Sequence, residues 1–477
     1  MNRYKYLLKN IGILTLSSFA TKLIGVFLIP LYTNILTTTE YGTYDLFNAT
    51  IGVMLPILTL NIQDSVMRFS LESKFDRRAI VSIGTKYLIF SNLIVIFILI
   101  VNAVFGFSAM ARRYAVFFFL MFLSQSLSGV VTAYVRGIDR IVDLSVSSII
   151  ASLVTIGLNI GFLAGCKWGL AGYFLANILG PLVQCLYLII RADIIHNASL
   201  KECFLDEKRE MLDYCRPLIA NSIAWWINST SDRYAVIFFC GLAENGIYSM
   251  ASKIPSILNI LQSVFSQAWT LSAVHDFDSE DKSGFFSNTY RVYNCMLVIT
   301  CSLIIVADKI LAKFLYAKDF YIAWKYVPWL TIAIVFGALS GYIGGLFSAV
   351  KNAKFFAKSS IIGAVSNIVL NLFLTPFLGV LGASVATTVC YLEVWGLRYW
   401  HSKRFIKMKI NLLRDVVSYS LLVTQAVVLL VVSNELMLYS IELAIFMLIV
   451  LLYGEDILKL MNKGKEATLG KFGGHRE

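Results

Sequence analysis

Apolar runs long enough to cross a bilayer follow one another along almost the whole chain, and nothing else limits its fold as strongly. A hydrocarbon core about 30 Å thick takes about 20 helical residues per crossing. Fourteen such runs can be placed, at 11–36, 44–66, 80–106, 114–135, 144–165, 168–190, 214–240, 244–272, 285–307, 326–350, 359–377, 379–397, 415–433 and 436–453. The composition agrees: 58% of the residues are hydrophobic and 15% charged, against about 45–50% and about 25% in soluble domains. The mean hydropathy is +0.73. These features predict an all-α integral membrane protein of about 14 transmembrane helices, with no room for a sizeable soluble domain. The first run follows the basic start "MNRYKYLLKN" but is too long for a signal peptide and lacks a convincing A-x-A site, so it reads as an uncleaved span.

Loop charge gives the orientation. If the N-terminus is cytoplasmic, the inner connections carry 28 Lys and Arg and the outer ones 7. Lys and Arg accumulate on the cytoplasmic side, so both termini are expected there. The formal charge of +12 is thus read as topology rather than as an affinity for nucleic acid. One outer connection, 308–325, breaks the pattern with four lysines and is expected to lie along the membrane surface.

Several chemistries are disfavoured by what the chain lacks. Its eight cysteines form no C-x-x-C, and its four histidines, His196, His275, His401 and His475, fall in polar connections or the tail. Neither a zinc site nor a disulfide framework is supported. A membrane enzyme that polymerises or ligates glycans is expected to carry a large outer loop with catalytic residues, and no such loop is present. No catalytic residues, metal or cofactor are assigned.

Two halves of the chain echo each other. "EYGTYDLFNA" from Glu40 and "ENGIYSMASK" from Glu244 share E-x-G-x-Y at an offset of 204. "LSG" at Leu127 recurs at Leu339, "SSII" at Ser147 recurs at Ser359, and Asn159 matches Asn371, all at an offset of 212. "GLAGYFLA" from Gly169 matches "GVLGASVA" from Gly379 as G-x-x-G-x-x-x-A at an offset of 210. The offset spans six helices. An even number preserves the sense of insertion, so the first twelve spans read as a parallel repeat. The expected organisation is a six-helix lobe over 1–200, a second over 201–405, an extra helix pair over 406–455 and a cytoplasmic tail over 456–477. Within each E-x-G-x-Y, the glycine is read as permitting a tight turn, the glutamate as complementing a helix N-terminus and the tyrosine as lying at interfacial depth.

Two six-helix lobes, two extra helices and this doubled hinge resemble the multidrug/oligosaccharidyl-lipid/polysaccharide exporter superfamily, with its MATE-like fold. Within it the chain is most similar to the Wzx-type polysaccharide flippases, from "SSFATKLIGVFLIPLYTNIL" in the first helix onward. The resemblance implies a V-shaped pair of lobes around a central cavity in the bacterial inner membrane. It also implies transport, by alternating access, of an undecaprenyl-pyrophosphate-linked oligosaccharide such as an O-antigen, capsule or exopolysaccharide repeat unit. H+ and Na+ are the candidate coupling ions, and a polysaccharide polymerase and a chain-length regulator are the candidate protein partners. Lipid II flippases and multidrug cation antiporters of the same superfamily are the alternatives.

Six basic residues fall inside the expected spans: Lys22, Lys86, Arg216, Arg233, Lys253 and Arg291. Ser18 and Lys22 share a helical face of the first span; Ser249, Lys253, Ser256 and Gln267 share one of the eighth; Trp226 and Arg233 share one of the seventh. A basic residue facing lipid at mid-membrane costs about 2.5–3.5 kcal/mol, so inward orientation is expected. A pyrophosphate leaving water needs fixed cations and donors, which makes these eight residues the expected substrate contacts. Lys86, Arg216 and Arg291 lie near span ends and read as snorkelling side chains. Arg233 also has a structural reading, as a partner of the adjoining Asp232. Arginine replaces lysine imperfectly where a phosphate is held as by a point charge. The resemblance adds that a basic residue often precedes the glycine of the first helix, here Lys22 in "KLIG".

Overall fold

A computed structural model describes residues 25–72, 75–196, 198–199, 202, 204–275, 278–350 and 353–457. Every regular element among them is a helix, as apolar segments in lipid require, since each backbone N–H must find its carbonyl within its own segment. In chain order these are α1 Ile29–Ile35, α2 Thr38–Leu58, α3 Ile62–Ser70, α4 Arg77–Phe105, the short α5 Ala109–Arg113, α6 Ala115–Gly137, α7 Ile141–Asn159, continued by a π-helical segment Ile160–Gly165, and α8 Gly169–Arg191. Then follow α9 Leu205–Cys240, α10 Leu242–Ala251, α11 Ser256–His275, α12 Phe285–Leu315, α13 Val327–Ala349, α14 Ala353–Leu378, α15 Val380–Ser402, α16 Leu412–Val431 and α17 Glu435–Leu452. Among the described residues, ten helices are long and apolar enough to span, and α2 with α3 makes an eleventh, bent by 61°. The outward faces are apolar: Phe97, Phe105, Phe373 and Phe377 are all exposed, as lipid-facing positions should be.

Two spans are not the continuous helices expected. The second breaks between α2 and α3, where Leu60 and Asn61 take positive φ. The eighth breaks at residues 252–255 between α10 and α11. Pro255 explains the latter: it lacks an N–H and disfavours helical geometry in the residue before it. The ninth span runs on to Leu315 rather than stopping at 307, so Asp308, Lys309 and Lys313 sit on α12 and not in a loop. The remaining two lysines lie on a short 3-10 turn, Lys318–Lys325.

The described residues divide into two compact units. One runs through Ile237 and includes Gly241–Gly246 and Ala317–Asp319; the other takes Phe238–Cys240, Ile247–Tyr316 and everything from Phe320 onward. In the first, α8 packs on α6 and α7, while α6 packs on α3 and α4. In the second, α15 packs on α13 and α14, while α13 packs on α11 and α12. The same helices of each repeat therefore meet in the same way, with α16 and α17 added against α12.

Local chemistry repeats with the packing. Gly169 and Gly379 both take positive φ. A Cβ on Gly172 would lie 2.9 Å from the Phe162 side chain, and one on Gly382 would lie 2.3 Å from the Leu374 carbonyl oxygen, so each glycine lets its helix close on the preceding one. Ala176 and Ala386 are both fully buried. Ser147 donates to the Leu144 carbonyl and Ser359 to that of Phe356. Asn159 donates to the Thr155 carbonyl and Asn371 to that of Asn367. These pairs keep the 212-residue offset, so the repeat extends to individual hydrogen bonds.

The E-x-G-x-Y motif needs a different explanation from the turn read in the sequence. Gly42 and Gly246 lie inside α2 and α10. Glu40 belongs to a capping box, its carboxylate accepting from the Thr37 backbone N–H at 2.8 Å while the Thr37 hydroxyl accepts from the Glu40 N–H at 3.2 Å. Tyr248 is buried, and Tyr44 packs on Tyr173 with ring centroids 4.5 Å apart.

Candidate functional site

In the first unit, one face of α9 forms a polar seam with α2 and α3. Cys215, Ser222, Trp226 and Arg233 recur along it at helical spacing. Cys215 bonds to the Asn61 carbonyl at 3.4 Å, and the Asn61 amide donates to the Ser222 hydroxyl at 3.3 Å. The Trp226 indole N–H donates to the Ala49 carbonyl at 2.9 Å, and its ring lies over Gly52. Thr50 and Tyr234 share a hydrogen bond of 2.7 Å.

At the end of this seam Arg233 Nε meets Asp45 Oδ2 at 2.8 Å. The Asn245 amide donates to the same carboxylate oxygen at 3.2 Å and to the Gly42 carbonyl at 3.3 Å. Arg233 also donates through Nη1 to the Ser229 carbonyl at 3.3 Å. The partner expected from sequence was Asp232, but that carboxylate accepts from the Arg233 backbone N–H at 2.9 Å. Adjacent residues on a helix point in different directions, so the guanidinium reaches across to another helix instead.

In the second unit, Lys253 occupies the break between α10 and α11 and is half-buried. Its backbone N–H bonds to the Met250 carbonyl at 3.0 Å. Its carbonyl accepts from the Ser256 hydroxyl at 2.5 Å. Ser249 is buried one turn earlier. A membrane helix interrupted in this way presents the N-terminus of its second half, where anionic groups are favoured. Lys22 and Ser18 lie outside the described residues, as does the Gln267 side chain.

Of the basic residues near span ends, Lys86 donates to the Glu202 carbonyl. Arg216 pairs with Asp213 at 2.9 Å, and Arg291 with Asp456 at 2.7 Å.

Three membrane-embedded groups had not been singled out from the sequence. Arg398 was placed one residue beyond its span, yet it is buried on α15. It donates to Ser359 at 2.9 Å, to Ser360 at 2.8 Å and to the Ser340 carbonyl at 3.0 Å. Its guanidinium also stacks 4.2 Å from the Phe356 ring. In the first unit Gln184 serves the matching serines, donating to Ser147 at 3.3 Å and Ser148 at 3.1 Å. Asp308, expected in a loop, is buried on α12. Glu442, a lone acid inside the last apolar run, was visible as such in "ELMLYSIELAIFMLIVLL".

The profile of the family described as "Polysaccharide biosynthesis protein" matches residues 7–271. No curated protein matches the chain by sequence. Among solved structures, the inward closed conformation of the lipid II flippase MurJ is similar over 94% of this chain and 98% of its own, with a TM-score of 0.66 at 14% identity. An inward-facing multidrug resistance MATE family transporter of the MOP superfamily is similar over 82% of this chain and 95% of its own, with a TM-score of 0.62 at 12% identity. A MOP superfamily transporter from Pyrococcus furiosus, described as having a binding pocket of reverse polarity, is similar over 84% of this chain and 97% of its own, with a TM-score of 0.51 at 12% identity. At these identities the structural likeness speaks for the fold, while the sequence profile covers more than half of the chain: this multi-pass membrane protein belongs to the polysaccharide biosynthesis protein family and has the fold of the MOP superfamily transporters.

Proposed function

We propose that this protein is a flippase that carries a lipid-linked oligosaccharide, an undecaprenyl-pyrophosphate-linked repeat unit of a surface polysaccharide, across the bacterial inner membrane by alternating access. Membership of a polysaccharide biosynthesis family on a transporter fold is the observation that carries this reading. The electrostatics support it. Lys253 stands at a helix break beside Ser249 and Ser256, where charge and hydroxyls can replace the water lost by a pyrophosphate. Lys22 and Ser18, from the first span, and Gln267 join them in this proposal. Arg233, held by Asp45, and Trp226, whose indole N–H is held by the Ala49 carbonyl, are proposed as the contacts that the seam of the first unit offers. The glycan polymerase and chain-length regulator of the same pathway are the proposed protein partners, and both termini are proposed to be cytoplasmic.

Lipid II is the second cargo to consider, because the likeness to MurJ reaches 94% of the chain against 82% for the MATE transporter. The test is the profile of lipid-linked glycans in a strain lacking the gene. Accumulation of an undecaprenyl-linked repeat unit with normal lipid II supports the proposal; accumulation of lipid II alone supports the second reading; neither accumulating contradicts both.

A further inference from the structure

The interface of α12 with the last helix pair holds two buried carboxyl groups whose oxygens receive no hydrogen bond. Asp308 on α12 and Glu442 on α17 are each 0% exposed. None of their four carboxyl oxygens has a hydrogen-bond partner. They lie at matching depth. Lys313 Nζ meets Glu435 Oε1 at 3.3 Å where the two helices come together. From those helix ends Asp308 and Glu442 are each about two turns inward, on the order of 10 Å.

The donors nearest the pair are Gln425, whose amide neighbours the Glu442 carboxyl, and Lys309, whose ammonium acts on both acids, yet neither makes a hydrogen bond to a carboxyl oxygen. From α16 comes Gln425, whose Oε1 accepts from Ser302 at 2.8 Å and whose Nε2 donates to the Glu442 backbone carbonyl at 3.5 Å. Lys309 adjoins Asp308, but its ammonium sits 4.5 Å from the Trp324 ring centroid. Lys313 is engaged by Glu435. The remaining titratable groups close to the pair are Tyr439 on α17 and Tyr321 on the turn after α12.

An ionised carboxylate buried without donors costs several kcal/mol, and two near each other cost more. The charge must be met by a bound cation or a proton. Calcium takes six to eight oxygen ligands and magnesium a full octahedron, roughly, whereas two carboxyls are what this site presents. No group of three metal-ligating side chains exists among the described residues. A proton needs one lone pair. We propose that Asp308 and Glu442 form a proton-binding site at the α12/α16/α17 interface, in which a carboxylate takes a proton from water at the Lys313–Glu435 face to become a carboxylic acid and returns it there. This goes beyond the cargo reading, since it holds whatever the cargo is, and it places a proton-linked step in the helix pair.

The test is infrared difference spectroscopy of the full-length purified protein between acidic and alkaline pH. The site predicts a carboxylic C=O band that is lost in part in Asp308→Asn and in part in Glu442→Gln. Both substitutions remove a buried ionisable group while keeping shape, so membrane insertion is expected to survive. Asp308→Glu, which keeps the acid, should shift the band rather than remove it, and serves if the amide variant does not fold. A spectrum unchanged in folded Asp308→Asn and Glu442→Gln overturns the proposal. So does a thermal stabilisation by Na+ that wild type shows and both variants lose, because the site would then hold a metal cation.

Discussion

Gly42 and Gly246 lie against each other's helices: a Cβ on Gly42 would fall 2.0 Å from the Leu242 carbonyl oxygen, and one on Gly246 would fall 2.0 Å from that of Thr38. The two copies of E-x-G-x-Y are thus two sides of one close backbone crossing, which only glycine at both positions permits. Alanine ordinarily stabilises a helix by up to about 1 kcal/mol over glycine. Here overpacking, typically 1–3 kcal/mol, opposes and exceeds that gain. Gly42→Ala and Gly246→Ala should each lower the thermal midpoint of the purified protein, whereas Gly157→Ala, with nothing within 4 Å of its Cβ, should leave it unchanged or raise it.

The Asp45–Arg233 pair makes a different prediction. Removing one partner leaves a poorly solvated charge, at a cost of about 3–5 kcal/mol for a buried pair. Arg233→Ala should be the more damaging single change, since it takes the guanidinium away from the buried Asp45 carboxylate. The double variant Asp45→Asn/Arg233→Gln should be milder than either charge removal alone. Chemical or thermal denaturation of all the variants measures this coupling; additive effects would argue against the pair.

Arg398 and Gln184 solve the same problem in the two repeats, joining the last helix of each six to a pair of serines on the helix before it. Arg398→Ala should destabilise by about 1–3 kcal/mol, the cost of leaving buried polar partners unmet. Arg398→Gln should recover part of that loss by imitating the first repeat. Thermal stability of the two variants side by side is the check.

Orientation is open to labelling. Thr39 and Asn434 are exposed at helix starts expected on the outer side, and Lys403 is exposed at the opposite end of its helix. Cysteines at Thr39 and Asn434, in a cysteine-free background, should react with an impermeant thiol reagent in intact cells. One at Lys403 should react only after permeabilisation.

Much of this architecture is legible in the sequence because its signals are local. Apolar runs announce the helices, and Gly169 and Gly379, Ser147 and Ser359, and Asn159 and Asn371 announce the repeat at offsets that survive as matching backbone and hydrogen-bond geometry. What was misread depends on partners far away in the chain. Asp45 lies 188 residues from Arg233, so proximity in sequence favoured Asp232 instead. The role of Gly42 depends on a backbone 200 residues on, and the glycine reads as a turn residue when that neighbour is invisible. Arg398 and Asp308 fell outside their spans because hydropathy ends a helix at its first charge, while the backbone continues.

The proposed transport of a lipid-linked oligosaccharide, with Lys253 serving its pyrophosphate, can be measured in a reconstituted system. The most direct measurement places the purified protein in liposomes containing a fluorescent undecaprenyl-pyrophosphate oligosaccharide and adds an impermeant reductant. The quenched fraction should rise above the outer-leaflet share seen in protein-free vesicles. Lys253→Glu, reconstituted at equal abundance, should return the fraction to that share, with Lys253→Arg in between. A quenched fraction at the outer-leaflet share with wild-type protein would contradict the claim, and full activity in Lys253→Glu would remove the lysine from it.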